Sequence, residues 1–221
     1  MKINPSLFEY SAKQNYQNNS SACNYEKRDF YKGILGWYRK KKEIKVISDL
    51  IRQIPSNIVI LDCPCGNGRW FNYLKNKASR IIALDVSSSM LKNAASRVTQ
   101  ARLSLVNAVL SDAESIPLRD NAVDFTFSFA LMKHLPTPVK YRVLMEFVRV
   151  SRRGIICSFA IFNQLTYAFW RYKKYRESYP VFWNEIEWMC SFAGLKVKKV
   201  KKIATAVGLE HLILFEKEVL V

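Results

Sequence analysis

The stretch Val59-Ile-Leu-Asp-Cys-Pro-Cys-Gly-Asn-Gly-Arg-Trp70 leaves this chain few folds to choose from. Val59 to Asp62 reads as the end of a buried strand, apolar until its last residue. A tight turn follows at Pro64 to Gly68, and an apolar segment that starts a helix begins at Trp70 and Phe71. Strand, glycine-bearing turn and helix start make the first βα unit of a nucleotide-binding α/β domain. Gly66 and Gly68 let the backbone approach a ligand with no Cβ in the way.

The turn departs from the dinucleotide fingerprint, whose first glycine follows the strand directly to seat a pyrophosphate on the helix N-terminus. Here the strand closes on an acid, Asp62. A carboxylate aimed at the ligand suits a cationic group and repels phosphate. S-adenosylmethionine (SAM) has that character, with a sulfonium, an ammonium and no phosphate.

Asp62-Cys-Pro-Cys-Gly-Asn-Gly68 resembles the first motif of class I SAM-dependent methyltransferases, D/E-x-G-x-G-x-G, with Pro64 where the first glycine usually sits. Further motifs follow in order. Ser79 to Asp85 reads as a second strand closing on an acid, and Asp85-Val-Ser-Ser-Ser-Met-Leu91 resembles the family's D-x-S-x-x-M-L. Leu110-Ser-Asp-Ala-Glu-Ser-Ile-Pro-Leu118 is similar to G-D-A-E-x-L-P-F. Asp120 to Phe125 matches the D-x-x-F-D turn with Val123 in place of Phe, Ala130 to Leu135 is similar to L-H-H-L with Lys133 replacing one His, and Arg149 to Gly154 looks like the R-V-L-K-P-G-G turn. The resemblance covers about residues 40–160 by motif and 184–217 by pattern. It is nearest in character to the small methyltransferases of type 11, akin to quinone-ring methyltransferases. It implies an α/β, Rossmann-like sheet of seven strands with helices on both faces, and SAM as cofactor.

The resemblance also assigns residues. Asp62 would orient the methionyl ammonium. Cys65, Gly66 and Gly68 form the turn, and Arg69 would reach the methionyl carboxylate, whose geometry a guanidinium suits. Asp85 would accept both ribose hydroxyls, since a carboxylate offers two acceptor oxygens. Val86 and Met90 would flank the adenine, Asp112 and the Ala113 amide would meet its edge, and Phe129 would line the site. His134, just after the fourth strand, is the candidate base for an acidic acceptor; the other reading is a histidine capping the next helix. Cys63 and Cys65 read as packing residues rather than metal ligands.

Composition bounds the rest. The chain has 221 residues, 49% hydrophobic and 24% charged, enough for one α/β domain. Its boundaries are read as an N-terminal arm or lid at 1–38, a single domain at 39–221 and an aromatic-basic insertion at 161–183. The longest apolar runs fall short of the roughly 20 residues of a membrane span. Met1 to Pro5 lacks the apolar core of a signal peptide, and five cysteines, an odd number, point to a reducing cytoplasm, with peripheral contact at the membrane as an extension of that reading. The 35 basic residues against 18 acidic ones give +17, which favours an anionic partner or else a solvated basic surface. The expected acceptor is a small or lipid-linked molecule, of anionic character if the charge serves it. The alternatives are RNA, held by basic runs such as Arg39 to Lys42 and Lys196 to Lys202, and a SAM-binding partner subunit without catalysis.

Overall fold

A computed structural model of the chain describes residues 33–172, 179–204 and 209–218. Most of the expected arm and the centre of the aromatic-basic insertion lie outside them. Helix α1 (Gly33–Ile51) opens the described chain, so the expected boundary after residue 38 falls inside a helix. Then come β1 (Ile58–Asp62), the short α2 (Phe71–Leu74), β2 (Ala78–Asp85), α3 (Ser88–Gln100) and β3 (Val106–Leu110). The second half holds β4 (Val123–Ser128), α4 (Thr137–Val150), β5 (Ser151–Ala160), α5 (Gln164–Tyr172), α6 (Trp183–Ala193), β6 (Leu195–Ala204) and β7 (Leu209–Lys217).

The seven strands form one sheet in the order β3-β2-β1-β4-β5-β7-β6. Strands β1 to β5 pair in parallel, while β7 runs antiparallel to both β5 and β6. Strands buried on both faces read as continuous apolar runs, and β4 is buried at all six positions. Alternate side chains feed two cores. Ile60, Phe127 and Leu214 pack with Ile47 and Leu50 of α1, Leu74 of α2 and Ala94 of α3. Leu61, Ile155 and Ile213 pack on the other face with Val143 and Phe147 of α4 and Ile186 of α6. The strand order reverses at β1, with β2 on one side and β4 on the other. In open α/β sheets ligands bind outside the carboxyl ends of the strands at such a switch point.

The third strand departs from its expected place. The run from Arg102 to Ala108 reads as a strand, but Arg102 has φ of 50° and sits in a turn, with Leu103 buried as the plug of that turn. Pairing with β2 begins only at Val106.

Candidate active site

Five chain segments converge outside the carboxyl ends of β1, β2, β3 and β4. The Asp62–Gly68 turn leaves β1. Gly66 has φ of 53° and an open space where a Cβ would be, and its N–H donates to Oδ2 of Asp85 at 2.8 Å. Asp85 thereby ties the glycine turn to the tip of β2. Its Oδ1 accepts from the Ser87 N–H at 2.9 Å. Gly68 serves packing: its φ is 75°, and an added Cβ would stand 2.4 Å from the Phe71 ring. The Cys63–Pro64 peptide is cis.

The cavity they enclose has a volume of about 140 Å3. Of the residues read from the sequence, Cys65, Gly66, Arg69, Asp85, Val86 and Met90 line it, as do Asp112, Ala113, Phe129 and His134. Asp62 and Gly68 do not form its wall. Trp70 and Ala130 also line it, although the sequence singled out neither for this.

Asp62 lies behind the turn, fully buried, and neither carboxylate oxygen has a hydrogen-bond partner among the described residues. Loss of solvation pushes its pKa well above the ordinary carboxylate value; the charge of Asp85 adds to the rise and that of Arg69 opposes it. Burial also raises the pKa of Asp85, while the N–H groups of Ser87, Gly66 and Val86 pull it back. Burial drives the Cys63 and Cys65 thiols upward too, so neither is a thiolate nucleophile.

Arg69 sits on the rim. Its guanidinium carbon is 4.3 Å from the Trp70 ring centroid and 5.4 Å from that of Phe129. Its Nη1 lies 3.7 Å from Oε2 of the buried Glu43 on α1. Glu43 was not legible as a site residue, since nothing local links the two positions.

The far wall is fixed by α4. Asp112 and Ala113 begin the loop after β3. The Ile116 N–H donates to Glu146 at 2.8 Å, and Arg149 donates to the carbonyls of Leu118 at 2.7 Å and Ile116 at 2.9 Å. The bond from Arg149, foremost, holds the Glu146 carboxyl below its ordinary value. At the exit of β4, Ala130 takes φ of 64°, an uncommon conformation for a residue with a Cβ. Its N–H donates to Ser158 Oγ at 2.7 Å, which in turn donates to buried Glu210 at 3.2 Å. Lys133 closes that network, with Nζ 3.3 Å from Glu210. His134 ends a single 3-10 turn, Met132–His134. The Tyr179 N–H donates to the Lys133 carbonyl at 2.6 Å, and buried Lys140 donates to the Tyr179 carbonyl at 2.5 Å. The end of the expected insertion is thus pinned beside His134. Its aromatics divide: Phe162 is buried, Tyr167 packs on Phe182 with centroids 5.2 Å apart, and Tyr179 and Trp183 are exposed.

A family described as "Methyltransferase domain" matches residues 60–154, the segment that builds the cavity. Over that segment the chain is similar to SAM-dependent methyltransferases. A malonyl-[acyl-carrier protein] O-methyltransferase of Hamiltonella defensa is 34% identical over 102 residues, 46% of this chain and 36% of that protein. A demethylmenaquinone methyltransferase of Shouchella clausii is 27% identical over 161 residues, 66% of each chain. The chain thus spans about a third to two thirds of these relatives' lengths. Magnesium protoporphyrin IX methyltransferase of Synechocystis PCC 6803, solved with S-adenosylhomocysteine, superposes with a TM-score of 0.75 at 13% identity, over 90% of this chain and 96% of that one. At that identity the likeness speaks for the fold.

The family's cofactor is SAM, and the residues present fit it. The cavity holds an aspartate at the tip of β2 and apolar walls in Val86 and Met90. Behind the glycine turn, the unpartnered carboxylate of Asp62 is a buried acceptor that suits a cationic group.

Proposed function

We propose that this methyltransferase moves the methyl group of SAM to a small-molecule or lipid-linked acceptor that enters beside His134. The observation that carries the reading is the gathering of Asp85, Asp112, Arg69 and His134 around one cavity at the switch point of the sheet. When bound, SAM supplies an electrophilic methyl on a sulfonium. The chain's own residues then have separable tasks. Asp85 accepts the ribose hydroxyls while its backbone bonds hold it in place. Val86 and Met90 sandwich the base, and the loop at Asp112 and Ala113, clamped by Glu146 and Arg149, reads the base's edge. Asp62 and Arg69 answer the two charges of the methionyl end. His134 takes a proton from the acceptor. In-line methyl transfer needs mostly alignment, which this framework of buried strand ends provides.

Labelled SAM with a cell extract tests the reading, fractionated into lipid, small-molecule, RNA and protein pools. Label in the lipid or small-molecule pool is expected; label in the RNA pool would replace the acceptor class, and no transfer despite SAM binding would leave a binding subunit. Asp85→Ala should weaken SAM binding by about 1–3 kcal/mol, the loss expected for bonds to a buried carboxylate; unchanged calorimetric affinity would remove Asp85 from the site. His134→Ala should lower turnover and leave SAM affinity intact. Equal turnover would return His134 to a capping role.

A further inference from the structure

Helix α1 is far longer than the strand it precedes. Its 19 residues span about 28 Å at 1.5 Å per residue. It runs antiparallel to β1, because only residues 52–57 separate the two, so its N-terminal half points toward the cavity end of the sheet. Glu43, held against Arg69 on the cavity rim, marks where the helix passes that end. The ten residues before it continue the helix for about 15 Å.

What this overhang carries is unusual. Ile34 is 85% exposed, Trp37 54% and Tyr38 62%. They stand at i, i+3 and i+4, which places them on one face of a helix. Residues 33–42 contain no acid, and Arg39, Lys40, Lys41 and Lys42 follow directly. Lys41 Nζ lies 3.8 Å from the Trp37 ring centroid. At the same end of the sheet, Lys202 is exposed near the end of β6, against which α1 packs. Helix α5 leaves the carboxyl end of β5 with Leu165 82% exposed.

We propose that this end of the molecule docks on an anionic lipid bilayer through Ile34, Trp37 and Tyr38 of α1, with the lysines beside them facing the headgroups. An apolar face flanked by cations is how a helix lies in a membrane interface, and Trp and Tyr settle at the headgroup level. The charge is complementary: the chain carries +17 and the overhang is free of acids. Single-stranded RNA would also meet cations and stacking rings, but an exposed Ile34 gains nothing from a phosphate backbone. Docked this way, the cavity mouth faces the bilayer, so the acceptor class is a molecule resident in the membrane. That last step rests on the methyltransferase reading; the docking itself does not.

The full chain is floated with vesicles of phosphatidylcholine alone or mixed with phosphatidylglycerol, at low and moderate salt. Binding to the phosphatidylglycerol vesicles is expected, with about tenfold loss of partition in the Ile34→Ser/Trp37→Ser double variant, roughly the free energy of one well-buried side chain. Trp37→Lys separates insertion from attraction: it adds charge, yet it should bind less. Equal or stronger binding by Trp37→Lys, equal binding by the double variant, or no flotation of the wild type at low salt would each overturn the proposal. So would retention of transfer RNA at moderate salt by a chain that leaves the vesicles behind. SAM affinity of wild type and variants, read by calorimetry, should be equal. If no chain binds SAM while flotation behaves as expected, the methyltransferase reading falls and the docking stands.

Discussion

Asp62 is a carboxylate buried without a hydrogen-bond partner among the described residues, and such a group costs the ligand-free fold stability unless it takes a proton. Its pKa is raised by burial and by the nearby Asp85. The folded chain therefore holds this proton more tightly than the unfolded chain does. Between the ordinary carboxylate value and the raised one, stability falls as pH rises. Replacing Asp62 by Asn removes the charge and keeps the shape. The variant and the wild type should melt together at pH below the ordinary carboxylate value. The variant should then gain as pH rises, by about 2–4 °C for each kcal/mol of relieved cost in a chain of this size. SAM affinity should fall in the same variant by about 1–3 kcal/mol, because the buried acceptor for the cationic end is weakened. Calorimetry of the wild type should show proton release on SAM binding, as a cation nearby favours the ionised carboxylate. Melting curves that stay parallel across pH would show that Asp62 is relieved by some other group.

Among the elements, the segment after the expected insertion hangs on one buried lysine. Lys140 of α4 donates to the Tyr179 carbonyl, and burial lowers its pKa from 10.5 to about 8, with Glu185 opposing the fall. The folded chain therefore binds this proton less tightly than the unfolded one, and stability rises with pH between about 8 and the ordinary lysine value. The wild-type melting temperature should climb over that window relative to Lys140→Met, which has no such proton. The comparison with the variant removes the general drift that tyrosines cause there. Equal slopes would place the Lys140 ammonium in contact with solvent. Lys140 also shows where reading the sequence stops. Ten of the twelve residues read for the site line one cavity, because turn chemistry and an acid at a strand tip are local signals. The Glu43–Arg69 pair, the Lys133–Glu210 network and the Lys140 anchor join distant positions. Their partners are chosen by packing, which no local pattern reports. Ala130 at φ of 64° has no signal at all, since alanine is a poor residue for that conformation. The start of β3 was misplaced for the opposite reason. Leu103 and Leu105 imitate a strand's alternation, but Leu103 plugs a turn.

For the molecule as a whole, the two open edges of the sheet are unlike. Strand β6 carries Lys196, Lys198, Lys199, Lys201 and Lys202, while β3, Val-Asn-Ala-Val-Leu, has no charge. Lysines along an edge discourage pairing with another chain. Lys198 is paired with Glu216 across the neighbouring strand, and the remaining lysines add to a surplus of +17. That surplus keeps copies apart, and it also strains the fold by self-repulsion. Salt should relieve the strain, because exposed charges are screened beyond about 8–10 Å at physiological ionic strength. The melting temperature should therefore rise by a few degrees between dilute buffer and moderate sodium chloride. Changing Lys199 and Lys202 to Gln should raise the dilute-buffer value and flatten the salt response. A melting temperature that falls with salt would mean that attractive pairs such as Arg149–Asp120 and Arg142–Glu114 outweigh the surplus. The basic surface would then belong to the fold's own stability rather than to an anionic partner.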